Sequence, residues 1–330
     1  MGCAWWWSDE RSDGGFGRSH RRRGALGYLG VVCSLLVTLA CDASSAEKLE
    51  GYASRAPSAP PSLKTPSALA TEVAAVRETC PKEKQEVALT TDDDISLIAD
   101  FYPTGEQGAP AVILLHMIPP HHDRSNYPAG FIDELQERGL AVLNLNRRGA
   151  EGSGGVAEDA YKGDKGWLDV KAGRDFLVRH VCATPPAKVA IVGASNGTTS
   201  ALDFTVRAGA SAGEAAGDDA AGDDAAADDS LTPPAALVFL SGGKYTEAQH
   251  KLDDHAGLLD PIPILFAFPR KEAAWSRRAA RRHRDASWTV QEYAPGAHGT
   301  GLFESDPASV TLVAEHLAAA LTGASVDVGG

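Results

Sequence analysis

Ser195, Glu272 and His298 are the residues whose types and settings could carry chemistry between them. Ser195 lies between Gly193 and Gly197, at the end of the run KVAIVGASNG. Glycines two residues either side of a serine suit a sharp strand-to-helix turn, where a side chain would meet neighbouring backbone. Such a turn lifts the hydroxyl clear of the sheet. A serine hydroxyl is a weak nucleophile alone; it needs a base, a group to orient that base, and donors for the oxyanion formed on attack. His298, in PGAHGTGLF, follows the last strand-like run and precedes the last helical one, where a base reaching Ser195 must stand. Glu272, in PRKE directly after PILFAF, can hold the imidazole in one tautomer and stabilise its cation. The chemistry open to this trio is attack on a carbonyl carbon. Asp253, Asp254 and Asp260 are the alternative acids.

These side chains need a rigid frame, and the apolar pattern supplies one. KQEVALTT and ISLIADFYP, separated by Asp92-Asp93-Asp94, read as an antiparallel pair around an acidic turn. AVILLH (111–116) and LAVLNLN (140–146) are continuous apolar runs, as expected of strands buried on both faces. Helices fit FIDELQERG, closed by Gly139, and WLDVKAGRDFLVRHV (167–181), whose apolar residues recur at helical spacing. The helix after Ser195 is expected to end near Ala208. Strands then fit AALVFLSG (235–242), PILFAF (263–268) and SWTVQEYAP (287–295). A closing helix follows, with Asp306 as its N-cap, Pro307 at its first position and Gly323 at its end. Strand and helix in alternation imply a parallel sheet wrapped by helices.

The flanks of this frame differ in composition. Arg18, Arg21, Arg22 and Arg23 precede a 17-residue apolar run, Gly24 to Ala40, that meets Cys41, so residues 1–41 read as a signal peptide. Thr38-Leu39-Ala40-Cys41 is similar to a bacterial lipobox with its leucine one place late; Cys41 would be lipidated, and cleavage near Ala46 or an uncleaved anchor are the alternatives. The residues before Arg18 are unlike a signal-peptide start, which places the true start downstream of Met1. Residues 42–79, rich in Ala, Ser and Pro, read as a disordered tether that stands the folded part, 80–323, off a membrane. Within it, 209–232 reads as a disordered acidic insert; residues 209–230 hold seven acidic residues and no basic one. The net charge of −13 over 330 residues argues against nucleic acid as a partner. Beyond Cys41 only Cys80 and Cys182 remain, either a disulfide of an exported protein or two buried thiols.

The order Ser195, Glu272, His298 resembles that of the α/β-hydrolase fold, and across residues 84–322 four motifs fall in register with that family. Leu114-Leu115-His116-Met117 resembles the strand end that supplies one oxyanion donor, implying the backbone N–H of Met117 together with that of Asn196. NLNRRGAEGSGG resembles the family's D-x-R-G-x-G-x-S loop, with Asn146 in place of the usual Asp. GASNG resembles the nucleophile elbow, and GAHG the histidine loop. The family usually carries G-x-x-D where Pro269 and Glu272 stand here. The resemblance implies an eight-stranded, mostly parallel sheet and a serine hydrolase acting on carboxylic esters through an acyl-enzyme, with no cofactor or metal; the N-terminal segment adds that it is exported. Peptidase or thioesterase chemistry would use the same residues. Its substrate would be a small-molecule or peptide acyl compound. Only about 20 residues, Gly243 to Ile262, separate the sixth and seventh strands, which leaves no room for a large lid and is nearest to dienelactone-hydrolase-like members. A surface lipoprotein that uses the fold as a non-catalytic binding scaffold is the rival reading.

Two further clusters carry weaker signals. His116, His121, His122 and Asp123 contain metal-ligand types, but His116 already belongs to the strand-end motif and the rest to a polar loop. Arg277, Arg278, Arg281, Arg282 and Arg284 form a basic helix face, either solvated or, where it rims the site, favouring acidic substrates.

Overall fold

The computed structural model describes residues 80–183, 188–215 and 231–323, with the main chain alone from 212 to 215. The expected signal segment, lipidated Cys41 and tether lie outside the described residues. Eight strands form one sheet: β1 (Gln85–Thr90), β2 (Ser96–Tyr102), β3 (Ala111–Leu115), β4 (Ala141–Leu145), β5 (Val189–Ala194), β6 (Ala236–Leu240), β7 (Ile264–Pro269) and β8 (Trp288–Tyr293). Their order is β1-β2-β4-β3-β5-β6-β7-β8. β1 pairs antiparallel with β2, and β2 with β4. Every pairing from β4 through β3 to β8 is parallel.

The helices are α1 (Ala129–Glu137), α2 (Gly166–Arg179), α3 (Gly197–Ala215), α4 (Ala273–Arg282) and α5 (Ala308–Thr322), with single-turn helices between them. The central strands bury every residue because alternate side chains serve opposite layers. Ile113 and Leu115 of β3 join Phe204 of α3 and Trp275 of α4 in one core. Val112 and Leu114 join Phe131 of α1 and Val313 and Leu317 of α5 in the other. At about 25 cal/mol per Å² of apolar surface buried, these two layers are the main source of stability.

The sequence and the structure differ at two helix ends. α3 runs to Ala215 rather than Ala208, so the first part of the expected acidic insert is helical. Alanine is the strongest helix former, and the Ala-rich stretch continues the helix although its composition is of low complexity. Residues 216–230 lie outside the described residues. α5 begins at Ala308 with Pro307 as its N-cap and no side-chain cap, whereas Asp306 closes the preceding turn, Leu302–Ser305. Gly323 ends α5 in the left-handed conformation, φ 70°. Among the described residues no helix is long and apolar enough to cross a membrane.

Candidate active site

The parallel strands deliver the chemistry-bearing residues to one edge, each just beyond a strand's C-terminal end, where α/β sheets place their ligand sites. Ser195 follows β5, Glu272 follows β7, and His298 follows β8. Ser195 has φ 49°, a left-handed conformation that costs a non-glycine residue energy. Its amide donates to the Leu240 carbonyl of β6 at 2.7 Å, which pins the turn to the neighbouring strand. A Cβ on Gly193 would stand 2.7 Å from the Thr198 amide, and one on Gly197 would stand 2.5 Å from the Leu115 carbonyl. Neither position can carry a side chain while the turn holds.

His298 Nε2 lies 2.7 Å from Ser195 Oγ, and His298 Nδ1 lies 2.8 Å from Glu272 Oε2. The structure thus brings the three sequence-selected side chains into one hydrogen-bonded chain. Burial pushes the Glu272 carboxyl up, but hydrogen bonds from His298 and the neighbouring Ser241 hydroxyl outweigh it and hold the group below the ordinary glutamate range. Glu272 is therefore an anion at neutral pH, and Nδ1 carries the proton that points at it. That leaves Nε2 free to accept from Ser195. Ser195 is 9% exposed and the His298 side chain 42%, so the serine is reached through an open mouth. Gly299, φ +58°, lets the loop turn directly after His298, and a Cβ there would collide with the Met117 side chain. Its amide donates to Ser241 Oγ at 2.9 Å, tying the histidine loop to the end of β6.

The backbone N–H groups of Met117 and Asn196 have no acceptor among the described residues, so both are open to a ligand oxygen. The side chain that joins their two loops is Arg147, fully buried after β4. Its Nη1 donates to the His116 carbonyl at 3.1 Å, to the Met117 carbonyl at 3.4 Å and to Asn196 Oδ1 at 3.0 Å. Its Nη2 donates to the Ala160 carbonyl at 2.7 Å and to Ser200 Oγ at 3.1 Å. Burial draws the guanidinium down to about 10, which still leaves it charged at neutral pH. The Arg147 amide donates to His116 Nε2 at 2.9 Å, so His116 carries its proton on Nδ1 and donates it to the Met117 carbonyl at 2.8 Å. Burial and the adjoining Arg147 depress His116 to about 3, keeping it neutral.

Other sequence candidates find different partners. Asp253 and Asp260 hold His283, at 3.1 and 2.8 Å, and Asp254 makes no bond to His298. His122 bonds Asn126 at 2.9 Å and Asp123 caps the Ser125 amide at 2.7 Å, so with His116 engaged as above these side chains are already partnered. Asn146 accepts from the Arg124 amide and donates to the Glu151 carbonyl, both at 2.6 Å. A carboxylate could not make the second bond, which gives the asparagine in this loop a physical reason. Cys80 and Cys182 form a disulfide. Of the basic helix face, Arg277 pairs with Glu292 and Arg282 with Asp253, while Arg278 turns toward the site. Sequence reasoning gave no role to Arg147, Ser241 or Tyr245; Arg147 and Ser241 bond to segments far away in the chain, and Tyr245 to the Ser241 carbonyl in a loop without regular structure, which leaves no spacing signal.

No protein-family model matches the sequence, and no curated protein matches it. Solved structures do. An esterase of Pyrococcus furiosus is 17% identical with a TM-score of 0.51 over 77% of this chain and 93% of that one. The DcsB protein, solved with its substrate analogue, is 13% identical with a TM-score of 0.52 over 73% of this chain and 100% of that one. A dienelactone hydrolase of Anabaena variabilis is 18% identical with a TM-score of 0.47 over 73% and 97%. The sheet order, the crossover helices and the likeness to the first two of these structures agree: the chain has the α/β-hydrolase fold.

Proposed function

We propose that the protein is a serine hydrolase that cleaves carboxylic esters through an acyl-enzyme. The observation that carries the reading is the unbroken chain of hydrogen bonds from Glu272 through His298 to Ser195. Ser195 Oγ attacks the ester carbonyl as His298 Nε2 takes its proton. The tetrahedral oxyanion is held by the amides of Met117 and Asn196, at the N-terminus of α3, whose dipole favours negative charge. Collapse expels the alcohol, which receives the proton from His298. Water then attacks the acyl-enzyme by the same route in reverse, releasing the carboxylic acid and restoring Ser195. Glu272 stays ionised throughout and stabilises the imidazolium.

The setting is part of the same proposal. Export through the N-terminal segment, with Cys41 as a lipid anchor, fits an oxidising compartment in which the Cys80–Cys182 disulfide persists.

Hydrolysis of p-nitrophenyl acetate tests the assignment. Ser195→Ala is expected to lower kcat by at least about 10³-fold with the circular dichroism spectrum unchanged. A variant within about tenfold of the parent would overturn it.

A further inference from the structure

A cavity of about 340 Å³ opens beside Glu272 and His298. Lys244, Lys271 and Arg278 line it together with Tyr245 and Trp275. Its one carboxylate, Glu272, is already committed to His298. Lys244, Lys271 and Arg278 make no ion pair among the described residues, whereas Arg270 and Arg277 nearby are both tied to Glu292. Three cations outside any ion pair thus line a cavity that holds one carboxylate, in a chain whose net charge is −13. Such a local reversal of sign draws anions that the rest of the surface repels.

The remaining walls are fixed. The Trp275 indole donates to Glu247 at 2.7 Å, and the Tyr245 hydroxyl donates to the Ser241 carbonyl, beside Ser195. These rings give an apolar floor, and the arginine fork and lysine ammonium groups give donors suited to a carboxylate. The cavity starts at His298, so a substrate whose carbonyl lies on Ser195 reaches it with no change in the protein.

We propose that the preferred substrate is an anionic ester, whose carboxylate lies among Lys244, Lys271 and Arg278 while its carbonyl meets Ser195. This deepens the hydrolase reading and rests on it.

The test uses the full chain and two ester pairs. In 4-acetoxybenzoate against 4-acetoxybenzamide the charge is on the leaving half. In phenyl hydrogen succinate against phenyl butyrate it is on the acyl half. With each rate divided by its uncatalysed rate, kcat/KM for the charged member of at least one pair is expected to exceed its neutral partner about tenfold at low salt. The preference shrinks as salt rises past about 0.1 M, and the pair that shows it identifies the half that enters the pocket. Combining Lys244→Gln with Arg278→Gln brings the ratio close to one. Arg284→Gln, beyond the end of α4 and outside the pocket lining, keeps it. Ratios near one in both pairs for the parent, or a preference that survives in the double variant or is lost in Arg284→Gln, would overturn the proposal and leave the hydrolase reading standing. Failure to turn over all four esters, with Ser195 unreactive toward a fluorophosphonate, would overturn both.

Discussion

Ser195 occupies a left-handed backbone position that the surrounding turn over-determines, and its reactivity depends on side chains set in opposite electrostatic states. Glu272 is held as an anion and His116, next in the chain to the oxyanion donor Met117, is held neutral. Asp203 of α3 is a different case. Burial pushes its carboxyl up to about 7, and its Oδ1 has no hydrogen-bond partner among the described residues. Between the ordinary aspartate value of 3.8 and about 7, the folded state holds a proton that the unfolded state has lost. Stability therefore falls as pH rises through that window. Asp203→Asn removes the burden: at pH 8 its Tm is expected to lie about 5 °C above the parent's, and at pH 4 the difference closes. Melting curves at the two pH values check this, and an equal gain at both would contradict it.

At the level of elements, the site is the set of loops at the ends of β3, β4, β5, β7 and β8, and Arg147 from the β4 loop binds two of the others together. Arg147→Lys keeps a charge but cannot span carbonyls and Asn196 Oδ1 on both sides. The expected result is a fall in kcat of about 10²-fold with KM little changed, since loosened oxyanion donors cost transition-state binding alone. A merely structural Arg147 would lower Tm and the active fraction but leave kcat per labelled Ser195 intact. The strands that carry the site were legible because fully apolar runs such as AVILL and the elbow glycines leave strong sequence signals. Arg147 was not legible as a clamp, because its acceptors come from residues 116, 117, 160, 196 and 200 and share no spacing. Asp306 was misplaced as a cap because a short turn, Leu302–Ser305, intervenes before α5 and uses it to finish.

Over the whole molecule, the Cys80–Cys182 disulfide fastens the segment before β1 to the loop after α2, closing 102 residues of chain. The chain-entropy model gives a loop of that length about 4.7 kcal/mol, so reduction is expected to lower Tm by roughly 10 °C. Thermal melts with and without reductant measure it, and an unchanged Tm would show that the crosslink stabilises little. From sequence the pairing was one of two options; only the fold shows that residues so far apart meet. The central claim is that this fold holds an activated serine. Its most direct test is labelling of the purified protein with a fluorophosphonate, with the modified peptide mapped by mass spectrometry. The account predicts one label, on Ser195, absent from Ser195→Ala and strongly slowed in His298→Ala. A folded protein that takes no label, or takes it at another residue, would contradict the account.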